Sequence, residues 1–307
     1  MDFDEADPYP DPYMNPDLTL ESDSDPGEDF DRDAPEALGW VCYRGTLADV
    51  QRMVEQFGLT PADARANRNV ALRMACRRGH FEMAQWLADT FHLTAEDARD
   101  YNNYALRVVC EDGNLDIARW LVDTFHLTAE DARTGYHSPL LRACVMCRLE
   151  MVQWLVSTFD LTAEDIRAED NAALKHACGT LLGMGGGLAL AAWLIDRFHL
   201  TMADGGASIM VRACETDKTD VVELLVDRFG LTADDIRAGG LLAAACSSRW
   251  SIRIAEWLVD TFHLTADDAR DIDTAALPAA SALWLHTRFS VGAAETGQTE
   301  PDPIKPV

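Results

Sequence analysis

Positive charge is what this chain has least of. Against 52 aspartates and glutamates stand 26 lysines and arginines, a formal net charge of -26 over 307 residues. Half of that excess is local, because residues 1–36 hold fourteen acids and one basic residue, Arg32. Nucleic acids and anionic membranes are bound through basic patches, so this balance argues against both as partners. Long apolar runs are missing as well. The longest, Leu188 to Ile195, is far short of the roughly 20 residues that span a bilayer. The chain opens acidic and proline-rich, where a secretory leader would be basic and then apolar. The expected setting is intracellular, cytoplasmic or nuclear, with the protein soluble and not secreted.

A disulfide framework is excluded by position rather than by number. Cys42, Cys76, Cys110, Cys144, Cys178, Cys214 and Cys246 each follow a Leu or Met by four residues. Equivalent positions of packed helices lie roughly 8–10 Å apart, beyond the roughly 7 Å between Cα atoms that a disulfide allows. The row therefore reads as small buried residues at close helix approaches, kept reduced. Cys144 and Cys147 form one CxxC without a second pair, which is weak evidence for zinc or redox chemistry.

What is present is repetition. The fourteen residues Trp86 to Arg99 return almost unchanged as Trp120 to Arg133, and in altered form as Trp154 to Arg167 and Trp257 to Arg270. Their phenylalanine recurs at Phe57, Phe91, Phe125, Phe159, Phe198, Phe229, Phe262 and Phe289, spaced by 34, 34, 34, 39, 31, 33 and 27. A period in this range signals stacked supersecondary units. In the third unit, Leu106, Val109 and Cys110 share one face of a short helix that stops at Gly113, and a second helix runs from about Leu115 to Thr124. Thr128 then caps a short third helix, with acids in its first turn and Arg133 near its end to match the helix dipole.

Three segments fall outside this pattern. Residues 1–34 read as a disordered acidic arm, residues 290–307 as a frayed tail, and residues 179–187 as a glycine-rich insertion in the fifth unit. That insertion is followed by Leu188-Ala189 where a phosphate-binding loop needs Lys-Ser or Lys-Thr, so nucleotide binding is not expected. His92, His126, His199 and His263 share one phase, but residues a repeat apart do not converge on a metal. Paired acids such as Glu96-Asp97 recur in almost every unit, as caps do and catalytic carboxylates do not. No catalytic residue, metal or cofactor is expected.

Ser138-Pro139-Leu140-Leu141-Arg142-Ala143-Cys144 resembles the Thr-Pro-Leu-His-x-Ala-Ala signature of ankyrin repeats. Gly79-His80-Phe81-Glu82-Met83-Ala84-Gln85-Trp86-Leu87 resembles that family's Gly-His-Leu-Glu-Val-Val-x-Leu-Leu. The resemblance covers residues 35–289 and implies an all-α, ankyrin-like helical-repeat solenoid of about seven to eight units. Where the family continues into a β-hairpin finger, this chain has Phe-x-Leu-Thr-Ala-Glu-Asp-Ala-Arg, which favours a helical turn. The tryptophans lie in the second helix and no proline is periodic, unlike tetratricopeptide repeats.

The resemblance further implies a non-enzymatic, monomeric scaffold for protein–protein interaction that binds its partner on the concave face of the array, and likeness to the multiplied arrays of large DNA viruses and intracellular microbes implies a host protein as partner. Its contacts are expected at positions that vary between units: Arg68, Val70, Arg77 and Arg78; Tyr101, Tyr104, Glu111 and Asp112; Tyr136, His137, Val145 and Met146. Tyrosine and arginine on a rigid surface are the usual anchors of interfaces. The alternative is that the arm acts as an acidic mimic or chaperone for a basic partner.

Overall fold

A computed structural model describes residues 34–133, 138–179, 187–249 and 251–289. The acidic arm up to residue 33, residues 180–186 of the glycine-rich insertion, Tyr136, His137 and the tail beyond residue 289 lie outside these residues. All regular secondary structure among the described residues is helical, with no strand, and no helix is long and apolar enough to cross a membrane.

The third unit shows how the sequence builds each element. Helix α5 (Ala95–Asp112) ends at Gly113, whose φ of 80° is open to glycine without strain. Helix α6 (Leu115–Phe125) follows at once, capped by the Asn114 side chain, which accepts from the Ile117 N–H. Helix α7 (Ala129–Arg133) starts at Thr128, whose N–H and hydroxyl both donate to Asp131 Oδ2. A helical turn therefore stands where the sequence departs from the β-finger pattern. The histidine row also finds its explanation here. His92, His126, His199 and His263 all sit at φ near 50° just past a second helix, a place taken by Asp160 and Gly230 in the other units. That row marks a recurring left-handed helix end.

One feature was not legible. The short third helix does not end in an ordinary loop but runs through three successive left-handed residues into the next first helix. These are Asn67, Arg68 and Asn69 within α3 (Pro61–Arg77), Tyr101 to Asn103 within α5, and Glu169 to Asn171 within α10 (Ala163–Ala177). Left-handed backbone costs roughly 1–2 kcal/mol per residue for most side chains and least for Asn, and asparagine closes all three turns.

Successive hairpins lean on each other in chain order. In one row α1 (Ala34–Arg44) packs on α3, α3 on α5, α5 on α8 (Pro139–Val145) and α8 on α10; farther on, α12 (Ala207–Glu215) packs on α15 (Leu241–Cys246). In a second row α2 (Leu47–Phe57) meets α4 (Phe81–Phe91), and α11 (Gly187–Phe198) meets α13 (Thr219–Phe229), which meets α16 (Arg253–Phe262). The cysteines at the seven phase-locked positions are all buried between first helices with Leu38, Leu72, Leu106, Leu140, Leu174, Met210 and Leu242. Approach is close enough that a Cβ on Gly39 would lie 2.8 Å from a methyl of Val70. Each tryptophan of a second helix meets the phenylalanine five residues on edge-to-face, as in Trp120 and Phe125 with centroids 5.6 Å apart.

A polar latch joins consecutive units. In five of the threonine capping boxes the closing aspartate also accepts the arginine of the unit before: Arg65 to Asp97, Arg99 to Asp131, Arg133 to Asp165, Arg167 to Asp204, and Arg237 to Asp268, with shortest distances of 2.6–3.0 Å. Arg65 and Arg99 also donate to the carbonyls of His92 and His126, tying down the left-handed helix ends. The latch breaks once, at Gly206, which stands where the arginine would be. A Cβ there would already lie 2.9 Å from the Phe229 ring.

The latch sets an acid limit. Hydrogen bonding from Arg167 holds the Asp204 carboxyl down at about 2, and hydrogen bonding from Arg237 lowers that of Asp268. Burial pushes Asp131 and Asp165 up, but bonds from Arg99 and Arg133 and from the capping threonines leave both below the ordinary range. Carboxyls lowered on folding stabilise fully above their unfolded value near 4 and lose that contribution as pH falls through the folded values. The urea midpoint should thus be flat above about pH 5 and fall between about pH 4 and 2, and Arg167→Met should make that fall shallower. An unchanged acid limb in the variant would show that the Arg167–Asp204 pair does not contribute to it.

Candidate functional site

Of the twelve residues singled out as contacts, the structure gathers a subset into one cluster on α3 and α5. Its centre is Arg73, only 5% exposed. Arg73 Nε donates to the Arg68 carbonyl at 2.8 Å and Nη2 to the Asn67 carbonyl at 3.1 Å, which closes the left-handed turn from inside. Its guanidinium lies over the Tyr101 ring at 4.6 Å and the Tyr104 ring at 4.9 Å. Arg68 covers Tyr101 and Arg107 covers Tyr104, both at 5.4 Å, and Arg77 Nη1 donates to the Tyr104 hydroxyl at 3.1 Å. Each arginine over a ring contributes roughly 0.5–2 kcal/mol, more as water is excluded.

The cluster continues toward α1 and α8. Arg78 stacks on Tyr43 at 4.8 Å and donates to its carbonyl. Glu111 takes a two-pronged bond from Arg142, the shorter prong 2.6 Å, and its backbone carbonyl accepts from Arg148. Asp112 is exposed, and Val145 and Met146 are half-buried at the end of α8.

Two expectations are corrected by this geometry. Val70, 1% exposed, packs against Gly39, and Tyr104, 5% exposed, lies beneath the arginines. Both belong to the core, because the turn entering each first helix winds left-handed and directs them inward; neither side chain is offered to a partner. Arg68, Arg77, Arg78, Tyr101, Glu111, Asp112, Val145 and Met146 retain exposed or half-buried side chains. Tyr136 and His137 lie outside the described residues.

Arg73 and Arg107 were missed. A signal was available: residues 64–81 carry five arginines and no carboxylate in a chain of net charge -26. Arg73 Nη1, Asn69 Oδ1 and Asn103 Oδ1 are also buried without a hydrogen-bond partner, so polar potential is concentrated at this place. Elsewhere, an open groove of about 560 Å³ between α13 and α16 is lined by Asp217, Thr219, Asp220, Glu223, Arg253 and Trp257.

The CxxC dissolves into two roles. Cys144 belongs to the buried row, whereas Cys147, at φ 54°, occupies the left-handed turn where Gly79 and Gly113 stand in other units. All eight thiols are free. Burial pushes Cys76, Cys178, Cys214 and Cys246 up to about 12 and raises Cys42, Cys110 and Cys144 as well. No group of three or more His, Cys, Asp or Glu able to hold a metal ion occurs among the described residues. No family model, no curated protein and no solved structure matches this chain.

An aromatic disulfide reagent applied to the native protein should label one thiol per chain, Cys147, with the other seven appearing only on unfolding. A second thiol reacting natively at a similar rate would contradict the packing of the cysteine row.

Proposed function

We propose that this chain is a divergent, ankyrin-like solenoid of about seven to eight units that acts as a scaffold, gripping a protein partner on the face formed by its first helices between α1 and α8. The observation that carries this reading is the arginine–tyrosine cluster. Most positions in the chain repeat because they hold the stack; here the repeat is broken by large, rigid side chains of the types that anchor interfaces. Rings clamped by guanidinium groups are ordered before binding, which lowers the entropy lost when a partner docks.

The reading is tested by affinity purification from the native cell with full-length protein. Arg68→Ala, Arg78→Ala and Tyr101→Ala combined should abolish capture of the partner, each anchor contributing on the order of 1–2 kcal/mol. Arg119→Ala with Asp123→Ala, on the exposed side of α6, should leave capture intact. Retention by the triple variant, with its helical content unchanged, would refute this face as the binding surface.

A further inference from the structure

We propose that the chain's own acidic segment, residues 1–33, folds back over the arginine–tyrosine cluster of α3 and α5 and occupies that face until a partner displaces it. Three observations converge on this. The first is an uncompensated buried charge. Arg73 is only 5% exposed, yet its bonds go to two carbonyls and its face to two rings, and among the described residues no carboxylate pairs with it. Buried charges are normally paired, because the desolvation they suffer is large. A buried guanidinium held by carbonyls and rings therefore stands beneath a surface that also carries Arg68, Arg77 and Arg78, the last two faced by Asp112.

The second is the engagement of the neighbouring acids. Asp100 accepts from the Asn69 amide and the Tyr101 N–H, and Glu111 is held by Arg142; among the described residues Asp112, at the end of α5, is the exposed acid beside Arg77, Arg78 and Arg148. The third is complementarity with reach. Residues 1–33 carry thirteen acids and one arginine, and they lead directly into α1, which packs on α3. An extended segment of that length spans up to roughly 110 Å at about 3.3 Å per residue, so the covalent link holds a dense negative charge within easy range. Tethering of this kind raises the effective concentration to about the millimolar range, enough for a contact of weak intrinsic affinity. The chemistry recognised is a run of carboxylates interleaved with aromatics such as Tyr9, Tyr13 and Phe30. A displacing partner would need a surface of the same acidic and aromatic kind.

The proposal deepens the binding-face reading above, and its test uses the isolated protein so that the two fail separately. Full-length protein is treated with p-hydroxyphenylglyoxal, and modification of each arginine is followed by mass spectrometry. The comparison is a full-length variant with Asp23→Asn, Asp25→Asn, Glu28→Gln, Asp29→Asn, Asp31→Asn and Asp33→Asn. Arg68 and Arg78 should react roughly threefold or more slowly in the wild type than in the variant, the protection given by a contact populated about two-thirds of the time. The difference should vanish in about 1 M salt, where the screening length is about 3 Å. Arg52 and Arg270, each 71% exposed, should react alike in both proteins. Equal labelling of Arg68 and Arg78 in wild type and variant at low salt would overturn the proposal, as would protection that survives high salt undiminished.

Discussion

Burial of the Leu and Cys rows between consecutive first helices is the interaction on which everything else in this chain rests. A single hairpin such as α5 with α6 has Leu106, Val109, Cys110, Ile117, Leu121 and Phe125 to hide, and two helices cannot cover all of them alone. The neighbouring hairpin supplies the missing surface, roughly 25 cal/mol for every Å² of apolar area removed from water. If the units form a repeat solenoid, stability is approximately a sum over units and their interfaces. The cysteines suit this role because a small, weakly polar side chain lets helices approach closely.

Apolar burial does not fix register, and the arginine–aspartate latch adds that. One carboxylate caps its own helix through threonine and receives the arginine of the unit before, so capping and stacking depend on the same group. At the surface each pair would contribute little, roughly 0–1 kcal/mol. Asp97 and Asp131 are nearly buried, however, and each bond is charge-assisted and in most cases two-pronged, which favours one geometry over its near alternatives. The break at Gly206 coincides with the π-helical turn at Met202–Gly206 and with the change of spacing between Phe198 and Phe229, so the regular latch and the regular period lapse together.

Much of this was legible in the sequence. Helix boundaries in the third unit, the threonine caps and the buried cysteine row all follow from local chemistry that repeats, and repetition averages away ambiguity. The double duty of Asp131 was not legible. Arg133 satisfies the helix dipole equally well in any arrangement, and only the stacking of units shows that Arg99 reaches Asp131. The left-handed turns were hidden because Tyr101 and Arg68 are poor residues for positive φ, and only the asparagines hinted at them. That turn is also why Val70 and Tyr104 point inward, and why the candidate surface narrows to Arg68, Arg77, Arg78, Tyr101 and their neighbours toward α8.

The most direct test of the central claim is excision of one whole unit, residues 95–128, which joins Thr94 to Ala129 in phase. If the chain is a stack of self-similar hairpins, the shortened protein keeps its helical content per residue and unfolds cooperatively in urea, with a denaturant slope reduced in proportion to the surface lost. Loss of cooperative unfolding, or collapse of the helical signal across the whole chain, would show that the fold has one indivisible core and would contradict the account.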